Sequence, residues 1–216
     1  MRPAAVLFDN DGLTLDTEPI WTRAEEVLFA RYGVEFTMDH KRYILGSAPA
    51  VAAVKLEEIL GHPGRALTEE LYALTIAAFA DGVEPMPGAL ELIAALREAG
   101  IPIGLVSNST RAFVDAALAA AELDDTFAVT VVGEEVAEPK PAPDTYLAAA
   151  AALGVDPAGC VVLEDSPTGV QAGRAAGMHT IGVPSVAGIE LDADLVAPSL
   201  ADPAVWSAAG LERPVR

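Results

Sequence analysis

The chain has 216 residues, of which 13 are Lys or Arg and 32 are Asp or Glu, so its formal net charge at pH 7 is −19. So acidic a chain lacks the basic stripes that bind a phosphate backbone or an anionic lipid surface, which argues against a nucleic-acid partner and against a membrane. With 52% apolar and only 21% charged residues, the composition excludes a disordered chain and can supply a sizeable core.

Continuous apolar runs that stop at polar turns recur along the chain, and each predicts a strand buried on both faces. The five runs are residues 4–8, 101–106, 129–132, 161–163 and 180–183. Between the later runs, segments with capping residues at the start or glycine just past the end predict helices over residues 88–99, 110–121, 144–153 and 167–176. Strands that alternate with helices predict an α/β fold, here a doubly wound, Rossmann-like parallel sheet.

Residues 16–85 interrupt this alternation. Apolar residues near a 3.6-residue period predict helices over 18–32, 51–60 and 68–80, with no convincing strand among them. We therefore predict a helical domain of residues 16–85, inserted after the first strand of an α/β core domain formed by residues 1–15 and 86–216. The single cysteine, Cys160, cannot form a disulfide within the chain, which favours a reducing, cytoplasmic compartment. Nothing in the sequence demands more than a monomer.

Four carboxylates follow two of the predicted strands. Asp9 and Asp11 come after the first strand, and Glu164 and Asp165 come after the fourth. Because the carboxyl ends of parallel strands meet at one crevice, these groups should share a small volume. Their mutual repulsion would be relieved by a cation, and hard oxygen ligands suit Mg²⁺. The sequence therefore predicts a magnesium site.

A possible anion site lies beside these carboxylates. Ser107 and Asn108 end the second predicted strand just before a helix begins near Thr110, where a hydroxyl and free backbone N–H groups can bind an anion. Lys140 lies in a loop stiffened by prolines and can hold a transferring phosphoryl group as a point charge. Alone, these residues are more typical of a helix cap and a surface lysine, so the prediction depends on the whole set.

Four motifs in order make this sequence resemble the haloacid-dehalogenase-type phosphatases. Residues 9–18 (DNDGLTLDTE) are similar to the first motif, and residues 107–109, 140–141 and 164–166 to the second, third and fourth. The helical insert resembles the subgroup with a small α-helical cap, which contains sugar-phosphate phosphatases and β-phosphoglucomutase.

The resemblance implies a Mg²⁺-dependent phosphatase that hydrolyses a small phosphorylated metabolite, a sugar phosphate, through an aspartyl-phosphate. Asp9 would be the nucleophile, and Asp11 would be the general acid and then the general base. Ser107, the backbone of Asn108 and Lys140 would hold the phosphoryl oxygens.

The resemblance also implies the metal ligands and the cap residues near the substrate. Asp9, Asp165 and the carbonyl of Asp11 would bind Mg²⁺, and Glu164 would steady its waters. The predicted residues at the hinge and in the cap are Thr17, Glu18, Trp21 and Gly46. Two positions depart from the family pattern, because Asn10 replaces an apolar residue and Thr14 replaces a leucine.

Two other functions stay open at this point. A β-phosphoglucomutase would carry His, Lys and Arg where this chain has Trp21, Leu45 and Pro49, so a hydrolase is favoured over a phosphoryl-transfer isomerase. A non-enzymatic phospho-acceptor domain of the receiver type also has an acidic Mg²⁺ pocket. Receivers are shorter, have no cap and place the acceptor after a central strand, which disfavours that alternative.

Overall fold

The structure is a computed structural model that describes residues 2–44, 49–64, 66–186 and 188–213. Its helices and strands in chain order are β1 (Ala5–Asp9), α1 (Glu18–Arg31), α2 (Met38–Ile44), α3 (Pro49–Leu60), α4 (Leu67–Ala78), α5 (Ala89–Glu98), β2 (Ile103–Ser107), α6 (Arg111–Ala120), β3 (Val129–Val132), α7 (Asp144–Leu153), β4 (Cys160–Glu164), α8 (Pro167–Ala175), β5 (His179–Gly182), β6 (Leu195–Val196) and α9 (Pro203–Ala208). Short 3₁₀ turns occupy Phe79–Asp81, Gly133–Glu135 and Pro157–Gly159. Within the described ranges, no helix combines the length and the apolar character that crossing a membrane requires.

The six strands form one parallel sheet in the order β3-β2-β1-β4-β5-β6, which confirms the predicted fold class. The register pairs Asp9 with Val106 and Phe8 with Leu163, so β1, β2 and β4 end side by side. The chain leaves β1 for β2 on one side and reaches β4 on the other. Ligands of open α/β sheets bind at such a reversal of strand order.

Alternate residues of β1 supply the cores on the two faces of the sheet. Val6 and Phe8 pack in a cluster with α5, α6 and α9, whereas Ala5 and Leu7 pack with α7 and α8. All four side chains are fully buried, which explains why this strand is a continuous apolar run rather than an alternating one.

The helices α1–α4 follow β1 and enclose a small apolar cluster of their own that includes Leu28, Phe29, Leu56 and Leu67. The two segments that connect these helices to the sheet lie side by side. The Asp16 N–H donates to the Glu84 carbonyl at 2.8 Å, and the Met86 N–H donates to the Thr14 carbonyl at 3.0 Å. The boundaries of the two predicted domains remain a prediction.

Three elements were not predicted from the sequence, namely α2, β6 and α9. Helix α2 buries only Lys41 and Ile44 of its seven residues, so it shows no apolar stripe. Strand β6 has two residues and α9 has six, which is too short for a periodic pattern. Strand β2 begins at Ile103 instead of Ile101, because the Ile101 N–H donates to the Leu96 carbonyl and extends the end of α5.

Candidate active site

Lys140 lies at the centre of the polar residues at this edge of the sheet. Its Nζ lies 2.6 Å from Asp9 Oδ1 and 2.7 Å from Glu164 Oε1, and it donates to the Val106 carbonyl at 2.9 Å. The residue is 4% exposed. Burial alone would lower the pKa of Lys140, but the carboxylates of Asp9 and Glu164 outweigh burial and raise it. The side chain is therefore a fixed cation between β1 and β4.

The Asn108 side chain positions Lys140. Its amide nitrogen donates to the Lys140 carbonyl and its oxygen accepts from the Lys140 N–H, both at 2.9 Å. This reciprocal pair fixes the loop that carries the lysine. We predicted a role for the backbone of Asn108, and sequence reasoning missed this role of its side chain.

Three carboxylates form a compact acidic cluster. One oxygen each of Asp9, Glu164 and Asp165 lies within 4.8 Å of the others. Burial is the main cause that raises the pKa of Asp9 well above its usual range, against the attraction of Lys140. Burial and the neighbouring charge of Glu164 raise the pKa of Asp165 to about 7. This set of hard oxygen donors fits a divalent cation of the Mg²⁺ class.

Glu164 is fully buried and held at both oxygens. Oε1 accepts from Lys140 and from the Tyr146 hydroxyl at 2.8 Å. Oε2 accepts from the Ser166 hydroxyl at 3.0 Å and from the N–H groups of Asp165 and Ser166. These contacts fix the carboxylate rigidly at the end of β4. Tyr146 is a site residue that the sequence did not reveal, because it lies in the Ala-rich helix α7.

The Asp11 carboxylate is turned toward hydroxyl groups instead. Its Oδ1 accepts from Thr17 at 2.9 Å, and its Oδ2 accepts from Ser107 at 3.2 Å and from Ser109 at 3.0 Å. Burial raises the pKa of Asp11, and these hydrogen bonds oppose the shift. We expected four carboxylates in one cluster, and among the described residues the cluster contains three, because these three hydroxyls hold the fourth carboxylate apart from it.

The two departures from the family motif have different environments. Thr14 is buried, and its hydroxyl donates to the Asp9 carbonyl at 2.6 Å, which ties the turn back to the end of β1. Asn10 is also buried, and its amide atoms meet no hydrogen-bond partner in the described part of the chain.

The turn after β1 requires glycine at position 12. Gly12 has φ +77°, and a Cβ there would lie 2.4 Å from Asp165 Oδ2, so only glycine fits this turn.

A cavity of about 460 Å³ lies between the end of the sheet and the cap helices. From the core, its lining includes the predicted residues Asp9, Asp11, Ser107, Asn108, Lys140 and Asp165. From the cap, its lining includes Glu18, Trp21, Glu25, Lys41, Thr68 and Tyr72. Thr17 contacts Asp11 as described above. The structure thus brings the core residues of all four motifs to one cavity.

Trp21 and Tyr72 form the aromatic part of the cap wall. The Trp21 ring stacks on Phe113 of α6 at 5.0 Å and meets the edge of Tyr72 at 5.1 Å. Trp21 therefore both packs against the core and lines the cavity. Burial and the charge of Asp11 raise the pKa of Tyr72 to about 12, so its hydroxyl stays protonated. The predicted cap residue Gly46 lies outside the described residues.

Lys41 and Glu25 line the cap wall and were missed from the sequence. Lys41 Nζ lies 2.9 Å from Glu18 Oε2 and 3.3 Å from Glu25 Oε2. Burial raises the pKa of Glu25, although Lys41 opposes this shift. Sequence analysis could not find Lys41 because the helix that carries it was not predicted.

Comparison with known proteins places this arrangement in a family context. A protein-family model for haloacid dehalogenase-like hydrolases matches residues 3–177. A bifunctional riboflavin kinase/FMN phosphatase of Arabidopsis thaliana is 36% identical over 186 residues, which cover 85% of this chain and 49% of that protein. The chain thus spans about half the length of that relative.

Other relatives are matched over most of their length. The fructose-1-phosphate phosphatase YqaB of Escherichia coli is 35% identical over 185 residues, which cover 84% of this chain and 97% of that protein. Among solved structures, CbbY from Rhodobacter sphaeroides in complex with phosphate superposes with a TM-score of 0.82 at 28% identity, covering 93% of this chain and 96% of that one. On its four motifs, its fold and these matches, the chain belongs to the haloacid dehalogenase-like hydrolases.

Proposed function

We propose that this protein is a Mg²⁺-dependent phosphatase that hydrolyses a small phosphorylated metabolite, a sugar phosphate, through an aspartyl-phosphate on Asp9. The observation that carries the proposal is the position of the Asp9 carboxylate, which lies beside the buried ammonium of Lys140 and in one cavity with the buried carboxyl of Asp11. The phosphatase names of the relatives support the same reaction class.

The ammonium of Lys140, 2.6 Å from Asp9 Oδ1, favours the ionised form of Asp9 against the effect of burial. In the first half-reaction, a carboxylate oxygen of Asp9 attacks phosphorus, and the bond from phosphorus to the alcohol oxygen breaks. Lys140 and the Ser107 hydroxyl hold the charge on the phosphoryl oxygens. For this contact, Ser107 exchanges its hydrogen bond to Asp11 for one to the phosphoryl group. Asp11 donates its proton to the leaving alcohol, and its raised pKa favours the protonated form that this step needs.

In the second half-reaction, the Asp11 carboxylate takes a proton from a water molecule, whose oxygen attacks the phosphorus of the aspartyl-phosphate. The bond from phosphorus to the Asp9 oxygen breaks, inorganic phosphate leaves, and both aspartates return to their starting states. The hydroxyls of Thr17 and Ser109 hold the Asp11 carboxylate in place for this proton transfer.

Asp9 and Asp165, with the carbonyl of Asp11, are the residues that would hold the cation, with Glu164 fixed behind them. When bound, Mg²⁺ supplies positive charge that offsets the repulsion among these carboxylates and between them and an anionic substrate. The chain's own residues supply the nucleophile, the proton transfers and the orientation.

The lining of the cap supports hydrolysis over isomerisation. Trp21 stands where the mutase branch carries a histidine, and its indole stacks on Phe113 and does not exchange protons. Of the other two positions that distinguish the mutase branch, Leu45 lies outside the described residues.

The proposal is tested by initial rates on a panel of sugar phosphates, phosphoglycolate and nucleotides, with Mg²⁺ and with EDTA. We expect turnover that requires Mg²⁺ and that falls by at least about 10⁴-fold in Asp9→Asn, the scale on which the loss of a catalytic nucleophile acts. Asp125→Asn, which changes an exposed aspartate before β3, is the matched control and should keep the wild-type rate. Multiple turnovers by folded Asp9→Asn protein would contradict the mechanism.

A further inference from the structure

The cap contributes a charged cluster that the proposed reaction does not use. Lys41 of α2 lies between two glutamates of α1, Glu18 and Glu25, at 2.9 and 3.3 Å. All three side chains line the cavity that holds Asp9 and Asp11. We refer to Glu18, Lys41 and Glu25 as the cap triad.

Stability alone is a poor explanation for the cap triad. The side chains of Lys41 and Glu25 are only 10% and 6% exposed, whereas Glu18 is 34% exposed. Removing an ion from water costs several kcal/mol, and apolar residues in place of a buried ion pair often leave stability unchanged or improve it. A buried charged cluster that opens onto a cavity is better explained by a ligand.

The charges of the cap triad limit which ligand it can accept. One ammonium and two carboxylates carry a formal charge of −1. The only other cationic side chain that lines the cavity within the described ranges is Lys140, which already pairs with Asp9 and Glu164. A second phosphate at the cap end would therefore meet net negative charge, which disfavours its binding.

The hydrogen-bonding groups of the cap triad favour hydroxyls instead. A carboxylate accepts several hydrogen bonds, and the contacts to Lys41 leave acceptor capacity on both glutamates. A neutral group with several hydroxyls can donate hydrogen bonds to these carboxylates.

We propose that the cap triad is a specificity-determining subsite that accepts the neutral, polyhydroxylated end of a monophosphate and rejects a substrate with a second phosphate. This inference rests on the proposed phosphatase function and names its substrate class. The cap triad selects the substrate through charge and hydrogen bonding and takes no part in the bond-breaking steps.

The test compares kcat/KM for three esters: a hexose monophosphate, the corresponding hexose bisphosphate and p-nitrophenyl phosphate, which has no hydroxyl groups. In the wild-type protein, we expect the monophosphate to exceed each of the other two by at least about tenfold, the equivalent of about 1.4 kcal/mol. Ratios between substrates are measured because a purely structural defect lowers all three rates together.

Two variants separate the charge of the cap triad from its hydrogen bonding. Glu25→Gln changes the net charge from −1 to 0 and should lower the preference for monophosphate over bisphosphate several-fold. The double variant Glu25→Gln/Lys41→Met returns the net charge to −1 and leaves no unpaired buried ion at these positions. It should restore the rejection of the bisphosphate but lower the preference for the hexose monophosphate over p-nitrophenyl phosphate.

Matched controls come from the same cap. Glu26→Gln alters the next residue of α1, which is exposed, and Lys55→Met alters a lysine of α3 that does not line the cavity. Both should keep the wild-type ratios, and thermal melts establish that each variant folds. Equal turnover of the mono- and bisphosphate by the wild type, or unchanged ratios in folded Glu25→Gln, would overturn the subsite while leaving the phosphatase intact. No turnover of any ester with Mg²⁺ would overturn the proposed function itself.

Discussion

Lys140 and Lys41 are both buried, both line the cavity, and each lies between two carboxylates. Lys140 also lies 4.9 Å from the centre of the Tyr146 ring and donates to a backbone carbonyl, so the protein fixes its position on all sides. The Lys41 ammonium, by contrast, lies 3.5 Å from the backbone carbonyl that it contacts, that of Glu18. At the scale of single residues, the core thus holds its cation more rigidly than the cap does.

Glu25 should make the stability of the protein depend on pH. Burial raises its pKa above the usual value of 4.5, so the folded state binds this proton more tightly than the unfolded state. The contribution of Glu25 is therefore most favourable below pH 4.5 and is lost as the pH rises through the raised value. The wild type loses this contribution as the pH rises, whereas Glu25→Gln has none to lose. We therefore expect the free energy of unfolding of Glu25→Gln to increase relative to that of the wild type as the pH rises.

Urea unfolding of both proteins at pH 4.5 and at about pH 7.5 measures this difference, because titrations that the two proteins share cancel. Glu26→Gln is the control, since it removes a neighbouring but exposed carboxylate. A pH-independent difference between wild type and Glu25→Gln would show that the pKa of Glu25 is not shifted by folding.

Residue type and position predicted the core part of the site but not its contacts. Asp9, Glu164 and Lys140 could be found because they follow strand ends or occur in ordered motifs. Glu25 and Lys41 could not, because a buried charge on a helix looks the same in sequence as an exposed one. The hydroxyl contacts of Asp11 depend on the local path of the turn, which no residue pattern specifies.

At the scale of elements, the approach of α8 to β4 depends on glycine. A Cβ on Gly169 would lie 1.7 Å from Glu164 Oε1, and a Cβ on Gly173 would lie 2.8 Å from Thr180 Oγ1 and 3.0 Å from Val162 Cγ1. Both positions therefore need a small residue. Of the two glycines, only Gly169 lies against a carboxylate of the candidate site, that of Glu164.

Gly169→Ala should therefore lower kcat by about 10–100-fold, the range for lost supporting contacts around a metal site. Gly173→Ala is the matched change on the same helix, and it should lower stability by about 1–3 kcal/mol through overpacking without changing kcat per folded molecule. Steady-state rates normalised to the folded fraction separate the two effects. Equal losses of kcat in the two variants would contradict a specific role for Gly169.

Five of the six strands could be predicted because a parallel sheet buries both faces. In β1 and β4, this burial produces continuous apolar runs that few other structures require. An apolar pattern does not reveal α2, because Lys41 and Ile44 are the residues that this helix buries. Long-range contacts stabilise that helix, and a local sequence pattern does not record them.

At the scale of the whole molecule, the charge of −19 should make stability sensitive to salt and to divalent cations in different ways. Sodium chloride screens general repulsion, whereas Mg²⁺ should also bind the acidic cluster. At about 100 times its dissociation constant, one bound ion adds about 2.7 kcal/mol, which is a rise in melting temperature of about 5–10 °C for a chain of this size.

Differential scanning fluorimetry in MgCl₂ and in NaCl of equal ionic strength measures this rise. Asp165→Asn should lose the part that is specific to Mg²⁺ and keep the part due to sodium chloride. The same magnesium-specific rise in Asp165→Asn would place the cation elsewhere on the surface.

The paired connections at residues 14–16 and 84–86 have a consequence for how this molecule can be altered. Because the chain leaves and re-enters the core at points joined by two backbone hydrogen bonds, the intervening segment can change without moving the strands, provided that it keeps the contact of Trp21 with Phe113 of α6. Residues between these connections are therefore a natural unit for exchange, and a chimaera that receives the corresponding segment of a relative should keep the register of β1 with β2 and β4.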